Sequence, residues 1–203
     1  MIRNLLFLII FLAISAHAFP KQDTSSLATY TLDVKKSFVK WRGTFAAGEH
    51  VGRVKFISGE ITINKDNQIT SGVFIIDMNS IVCTDLETMF ARELVRHLKS
   101  EDFFDVDKYP ICKVEITRAA VAADDDDAIF IDSKLTLKGV ANKLAFDAIV
   151  KQNKRKLVAV SDAIIIDRTK YGIKYASPSL FKNIGDEFID DIIELSVEIV
   201  ASK

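Results

Sequence analysis

Few side chains in this 203-residue chain could do chemistry, and they are scattered. Beyond an apolar leader the titratable and nucleophilic candidates are two histidines, His50 and His97, and two cysteines, Cys83 and Cys112. They form no cluster with the short ligand spacing of a metal site, and no metal is expected. The acidic run Asp124 to Asp127 lacks the spaced oxygen ligands and the glycine of a calcium loop, and reads as a solvated hairpin tip. No Gly-x-Ser-x-Gly elbow, phosphate loop or dinucleotide fingerprint occurs. One dense polar and aromatic cluster remains, Asp167-Arg168-Thr169-Lys170-Tyr171-Gly172-Ile173-Lys174-Tyr175. It is either an active site working with His50 or His97, or a structural Asp167–Arg168 pair that ties down a loop. Free thiols are expected at Cys83 and Cys112, with a disulfide as the alternative that spacing alone leaves open.

Arg3, the apolar run from Leu5 to Ile14 and the small-x-small triplet Ala16-His17-Ala18 spell a secretory signal over residues 1–18, cleaved after about Ala18. The run falls short of the roughly 20 residues a spanning helix needs, so no stable membrane span is expected. Residues 19–203 then form a single domain, exported to the periplasm, with secretion as the alternative. A formal net charge of −1 carries no electrostatic footprint for nucleic acid.

The elements that must position these groups are mostly strands. Apolar and polar residues alternate with period two, most plainly in Ile193-Glu194-Leu195-Ser196-Val197-Glu198-Ile199. Eight strands are predicted, over roughly 29–44, 51–63, 69–79, 110–119, 127–138, 142–152, 156–167 and 189–201. Turn residues at Asn64 to Asn67, Asp124 to Asp127 and Gln152 to Lys154 link them, and Gly59 marks a bulge or bend. Two segments break the pattern. Leu86, Phe90, Leu94 and Leu98 recur at helical spacing behind Thr84-Asp85-Leu86-Glu87, a capping box that starts a helix at Asp85. Ser177-Pro178 to Gly185 spells a second, short helix.

The predicted architecture is all-β: an antiparallel eight-stranded barrel, with a two-sheet sandwich as the alternative that periodicity does not separate. Strand parity turns Val39 and Trp41, Val54 and Phe56, and Phe74, Ile76 and Met78 inward. It does the same for Val114 and Ile116, Leu135 and Leu137, Leu144 and Phe146, and Leu195 and Val197. These residues either pack a solid core or line an apolar tunnel. The helix stripe of Phe90, Leu94 and Leu98, followed by Phe103-Phe104, is placed as a lid over one mouth. Phe181 on the second helix joins the same candidate ligand-binding set.

In order along the chain, these features resemble the YceI-like family of lipid- and polyisoprenoid-binding periplasmic proteins. The residues that carry the resemblance begin with Tyr30-Thr31-Leu32-Asp33, Phe38-Val39-Lys40-Trp41, Gly48-Glu49-His50-Val51-Gly52 and Ser58-Gly59-Glu60-Ile61. Phe74 to Ile81, Thr84-Asp85-Leu86 and Leu135-Thr136-Leu137-Lys138-Gly139-Val140 follow the same order. The most specific is His97-Leu98-Lys99-Ser100-Glu101-Asp102-Phe103-Phe104-Asp105-Val106 through Tyr109-Pro110. The Asp167–Tyr175 tail is similar to a Bacteroidetes-type subgroup. The resemblance implies a lipocalin-like barrel with short helical lid segments and an elongated apolar tunnel. It implies a binding or carrier protein, linked to stress response, and not an enzyme. The implied partner is an isoprenoid or fatty lipid, such as a polyprenol or the tail of a quinone, with no other cofactor. A homodimer is left open.

Overall fold

A computed structural model describes residues 27–122, 128–183 and 185–203. The leader at 1–18 and the turn at Asp124 to Asp127 lie outside the described residues. The strands are β1 (Ala28–Leu32), β2 (Phe38–Phe45), β3 (Gly48–Ile63), β4 (Ile69–Cys83), β5 (Ile111–Val121), β6 (Ala128–Leu137), β7 (Val140–Gln152), β8 (Lys156–Asp167) and β9 (Ile189–Ser202). Among the described residues one α-helix, α1 (Thr88–Lys99), interrupts them. From β2 to β9 every strand pairs antiparallel with the next, and β9 returns to pair with β2. Eight strands therefore close an up-and-down ring, the barrel of the two architectures that the alternation left open.

The first predicted strand is two. Asp33 stops it: its Oδ1 accepts from the Lys35 amide and its carbonyl from the Lys36 amide, an Asx-type turn. Ser37 then restarts the chain, its Oγ bonded to the backbone of Val200. β1 sits beyond the end of β2 and fills the gap between β3 and β9, with Thr31 opposite both Glu60 and Ser202. It closes one end of the ring, and the Tyr30 hydroxyl donates to the Asn153 carbonyl across that floor. Leu157, Ala201 and Ile63 pack there, almost wholly buried.

The ring is uneven. Register pairs between β7 and β8 run only over Ile149–Gln152 against Leu157–Val160. A bulge between Ser161 and Ile164 swings the rest of β8 toward β9 and away from β7. Of the register shifts between β3 and β4, the one at Phe56/Ser58 lies just ahead of the predicted position. Gly59 serves a different end: a Cβ there would press on the Phe74 ring, which turns into the barrel.

The helix starts later than predicted. Thr84 is no cap, because its amide and hydroxyl both donate to the Val51 carbonyl. The Asp85 carboxylate is likewise taken, by the Val51 amide. These bonds hold residues 84 and 85 against β3, and α1 begins at Thr88 with Glu87 at the cap making no side-chain bond. The second predicted helix does not form. Leu180 and Phe181 close one turn on the Ser177 carbonyl, and Gly185 begins a 3-10 turn instead of ending a helix. The Ile189 amide bonds the Ala176 carbonyl, which draws the two ends of this segment together as a loop. A 3-10 turn at Arg168–Tyr171, which the sequence did not signal, opens the loop.

Gly52 is where the wall admits no side chain. It pairs with Trp41 on one side and Cys83 on the other, and a Cβ would strike the Val82 carbonyl and the indole ring. Gly52→Ala is expected to cost about 1–3 kcal/mol. The check is urea unfolding, with the midpoint lowered and the slope unchanged; an unchanged midpoint would show that the wall yields there.

Candidate functional site

The ring encloses a cavity of about 530 Å³, inside the range of about 300–1,000 Å³ usual for small-molecule sites. Its wall is almost entirely apolar. Val39 and Trp41 of β2, Val54 and Phe56 of β3, and Phe74, Ile76 and Met78 of β4 line it. So do Val114 and Ile116 of β5, Leu135 and Leu137 of β6, Leu144 and Phe146 of β7, and Leu195 and Val197 of β9. Leu94, Leu98, Phe103 and Phe104 face its upper end. Two predicted positions are corrected. Phe90 falls in the first turn of the late-starting helix and is 59% exposed, and Phe181 rides the loop that replaced the second helix and is 51% exposed. Neither reaches the cavity.

Other lining residues were missed. On β8, Ala159, Ile164 and Ile166 face inward. The run Ile164-Ile165-Ile166 shows no parity, and the bulge resets it. Ile131 and Ala148 continue the parity of β6 and β7 and were legible by extension. Tyr175 and Phe188 at the mouth had no sequence signal, because a loop brings them there, whereas Phe45 and Ile189 continue the parity of β2 and β9.

The roof is aromatic and edge-on. Phe103 is buried, with its ring 4.9 Å from the His97 ring, and Tyr175 stands 4.7 Å from His97 and 5.5 Å from Phe103. His97 Nε2 reaches the Asp102 carboxylate at 3.2 Å. The turn after α1 sets Phe103 in place: the amides of Phe104, Asp105 and Val106 fold back onto the carbonyls of Leu98, Ser100 and Lys99.

The 167–175 cluster is spent on this roof. Arg168 is 1% exposed, and its guanidinium donates to the carbonyls of Asp190 (2.8 Å), Ile173 (3.1 Å) and Ile189 (2.7 Å). Its partner charge is Asp191, at 3.5 Å, and not Asp167. Burial pulls the Arg168 pKa down, against the pull of Asp191, Asp190 and Asp167. Asp191 is partly buried, which works against its charge, yet hydrogen bonds from Ser177 and Ser179 and the guanidinium hold it below the ordinary carboxylate range. Asp167 instead caps the 3-10 turn, accepting from the Thr169 amide and hydroxyl. Cys112 lines the cavity as a thiol pushed up to about 12 by burial. Cys83 ends β4, whereas Cys112 pairs with Ile76, seven residues back along the same strand and so about 20 Å away. Both cysteines are free.

A YceI-like domain model matches residues 30–201. No curated protein matches the chain. Among solved structures it is similar to BcnA of Burkholderia cenocepacia, at 20% identity and TM-score 0.67, covering 84% of this chain and 99% of that one. It is similar also to a polyisoprenoid binding domain from Saccharophagus degradans implicated in plant cell wall breakdown: 15% identity, TM-score 0.60, 85% and 97% covered. A YceI protein of Campylobacter jejuni aligns at 19% identity and TM-score 0.51 over 67% and 74%. These likenesses bear out the lipocalin-like barrel.

Arg168 is the strut of the roof, and its removal leaves three carbonyls and a carboxylate without their cation. Arg168→Met is expected to cost about 3–5 kcal/mol. Arg168→Lys should recover less than half of that, since one ammonium cannot span the same acceptors. Urea midpoints check the order, and equal stability of the two variants would reject the strut.

Proposed function

The chain belongs to the YceI-like domain family, and we propose that it binds a long apolar lipid, of the isoprenoid or a similar class, inside the barrel. The observation that carries this is the continuous apolar cavity between a packed floor and an aromatic roof. At about 24 cal/mol per Å³, a dry void of 530 Å³ would cost about 13 kcal/mol, comparable with the 5–15 kcal/mol that holds an ordinary domain together. An apolar guest offsets that cost. Each buried methylene contributes about 0.8 kcal/mol, so a five-carbon unit gives roughly 3–4 kcal/mol gross. Ordering the flexible chain takes part of this back. Affinity therefore rises with chain length until the cavity is full, while the sparse polar lining gives little grip on a head group. The name of the Saccharophagus degradans relative, a polyisoprenoid binding domain, supports the same class of guest.

The protein acts as a carrier or store in the periplasm, or secreted, without a reaction of its own. Asp167 and Arg168, the groups an enzyme would have drawn on, are engaged with backbone amides and carbonyls of the roof.

Organic extraction of protein purified from its cells, followed by mass spectrometry, should yield an isoprenoid or fatty chain. Ligand-free protein that also takes up no added polyprenol, long-tailed quinone or fatty acid would reject the proposal. Trp41, the chain's one tryptophan, lines the cavity and gives a fluorescence readout for titration. Ala159 faces the cavity near the floor. Ala159→Phe should shorten the usable length by about two methylenes, lowering affinity for the longest chains about tenfold and leaving shorter ones unchanged. Tyr175→Ala should open the roof and speed lipid release, read as a larger off-rate at unchanged stability.

A further inference from the structure

The rim of the barrel gathers three side chains whose sequence spacing showed no site. Register pairs Gly52 with Cys83, which sets the end of β4 beside the start of β3. The Thr84 amide bonds the Val51 carbonyl at 2.9 Å, and Asp85 Oδ1 accepts from the Val51 amide at 3.0 Å. His50 points into the same corner, its ring stacked 4.9 Å from Phe45. As a result an imidazole nitrogen of His50, Sγ of Cys83 and a carboxylate oxygen of Asp85 all lie within 4.8 Å of one another. The closest approaches are His50 Nδ1 to Asp85 Oδ2 at 2.9 Å and Cys83 Sγ to Asp85 Oδ1 at 3.1 Å.

We propose that His50, Cys83 and Asp85 form a binding site for one divalent cation of the zinc type, with a fourth coordination position open at the rim. Bonds of about 2.0–2.3 Å to nitrogen, oxygen and sulfur place tetrahedral ligand atoms about 3.3–3.8 Å apart. Gathering these three around an ion needs adjustments of about 1 Å or less. One nitrogen, one sulfur and one carboxylate oxygen suit zinc and exclude magnesium and calcium as preferred occupants. The supporting contacts are in place: the Val51 amide orients the carboxylate and Phe45 orients the imidazole.

The protons balance simply. The Nδ1 proton and the thiol proton both aim at Asp85. A cation takes their place, the thiol proton leaves to solvent, and the imidazole keeps its proton on the other nitrogen. Thiolate, carboxylate and a dication sum to zero charge. Partial burial works against the Asp85 charge, yet hydrogen bonds from His50, Cys83 and Val51 hold its pKa at about 2, so the carboxylate is ready to ligate. Burial and Asp85 push the Cys83 thiol up, so without a cation it stays protonated.

The site does not rest on the lipid proposal, and its test contains no lipid. Chelator-treated full-length protein is titrated with Zn²⁺ by calorimetry and with Co²⁺ by absorption. The expected result is one ion per chain and a thiolate-to-cobalt charge-transfer band. Cys83→Ser should abolish the band, and the double variant His50→Gln, Cys83→Ser should bind Zn²⁺ at least 100-fold more weakly. Cys112→Ala should keep the band. Zn²⁺ should also shield Cys83 of the unaltered protein from alkylation, a readout that holds even if a variant fails to fold. Absence of stoichiometric binding, equal binding by the double variant, or alkylation of Cys83 unchanged by Zn²⁺ would overturn the site.

Discussion

The register that sets Trp41 opposite Leu195 and Gly43 opposite Ile193 joins the last strand to the second and turns a sheet into a ring. Closure removes the exposed edges that an open sheet must protect. It also fixes the circumference. Eight strands leave an interior that side chains can just fill or that can hold one small ligand. Which outcome follows depends on the inward residues. Here many are short or branched near the backbone, among them Val39, Val54, Val197, Ala148 and Ala159, and they do not meet across the centre. The hydrogen-bonded wall cannot collapse onto the gap without breaking its ladder, so the cavity persists as a consequence of closure.

The two ends are sealed by different physics. At the floor, β1 adds a strand beyond β2, and Leu157, Ala201, Ile63 and Tyr30 pack as an ordinary core. At the roof no strand is available. His97 and Phe103, from α1 and the turn after it, meet Tyr175 from a separate loop, with His97 edge-on to both rings, and a buried guanidinium holds the loop that carries Tyr175. The floor draws on covalent continuity and backbone pairing. The roof draws on a few side-chain contacts, one of them a half-exposed tyrosine. The end that opens at lower cost is therefore the roof. The short β7–β8 ladder gives the upper wall slack on one side as well.

The sequence carried the strands and most of the lumen because both rest on a period of two. Leu195 and Val197 face inward for the reason they alternate. Legibility failed wherever a local pattern had a tertiary competitor. Thr84 to Glu87 reads as a capping box, but the Val51 backbone and His50 claim Thr84 and Asp85 first, and Phe90 then turns outward. Ser177-Pro178 to Gly185 reads as a helix, but Arg168 and the Ala176–Ile189 bond fold it as a loop. On β8 the bulge resets a parity that three successive isoleucines had already hidden. The rim cluster was invisible for a plain reason: His50 and Asp85 stand 35 residues apart, and only strand register brings them together.

Apart from the buried Cys112 thiol, the titratable side chains that border the cavity sit at its rim. Arg168 answers to carbonyls, Asp167 to a turn, and Asp85 to an amide, an imidazole and a thiol. This confinement is what lets the interior be almost uniformly oily. A buried polar side chain facing the lumen would cost about 1–3 kcal/mol unless a guest paired with it, and would tie the cavity to one head group. The indole Nε1 of Trp41, a lining residue, is buried without a hydrogen-bond partner; the otherwise apolar lumen discriminates by length and girth. Beyond that indole, selectivity for chemistry must come from the rim, where the charges are and where the end of a long guest would emerge. The wall sets how much chain is held; the rim sets what the exposed end meets.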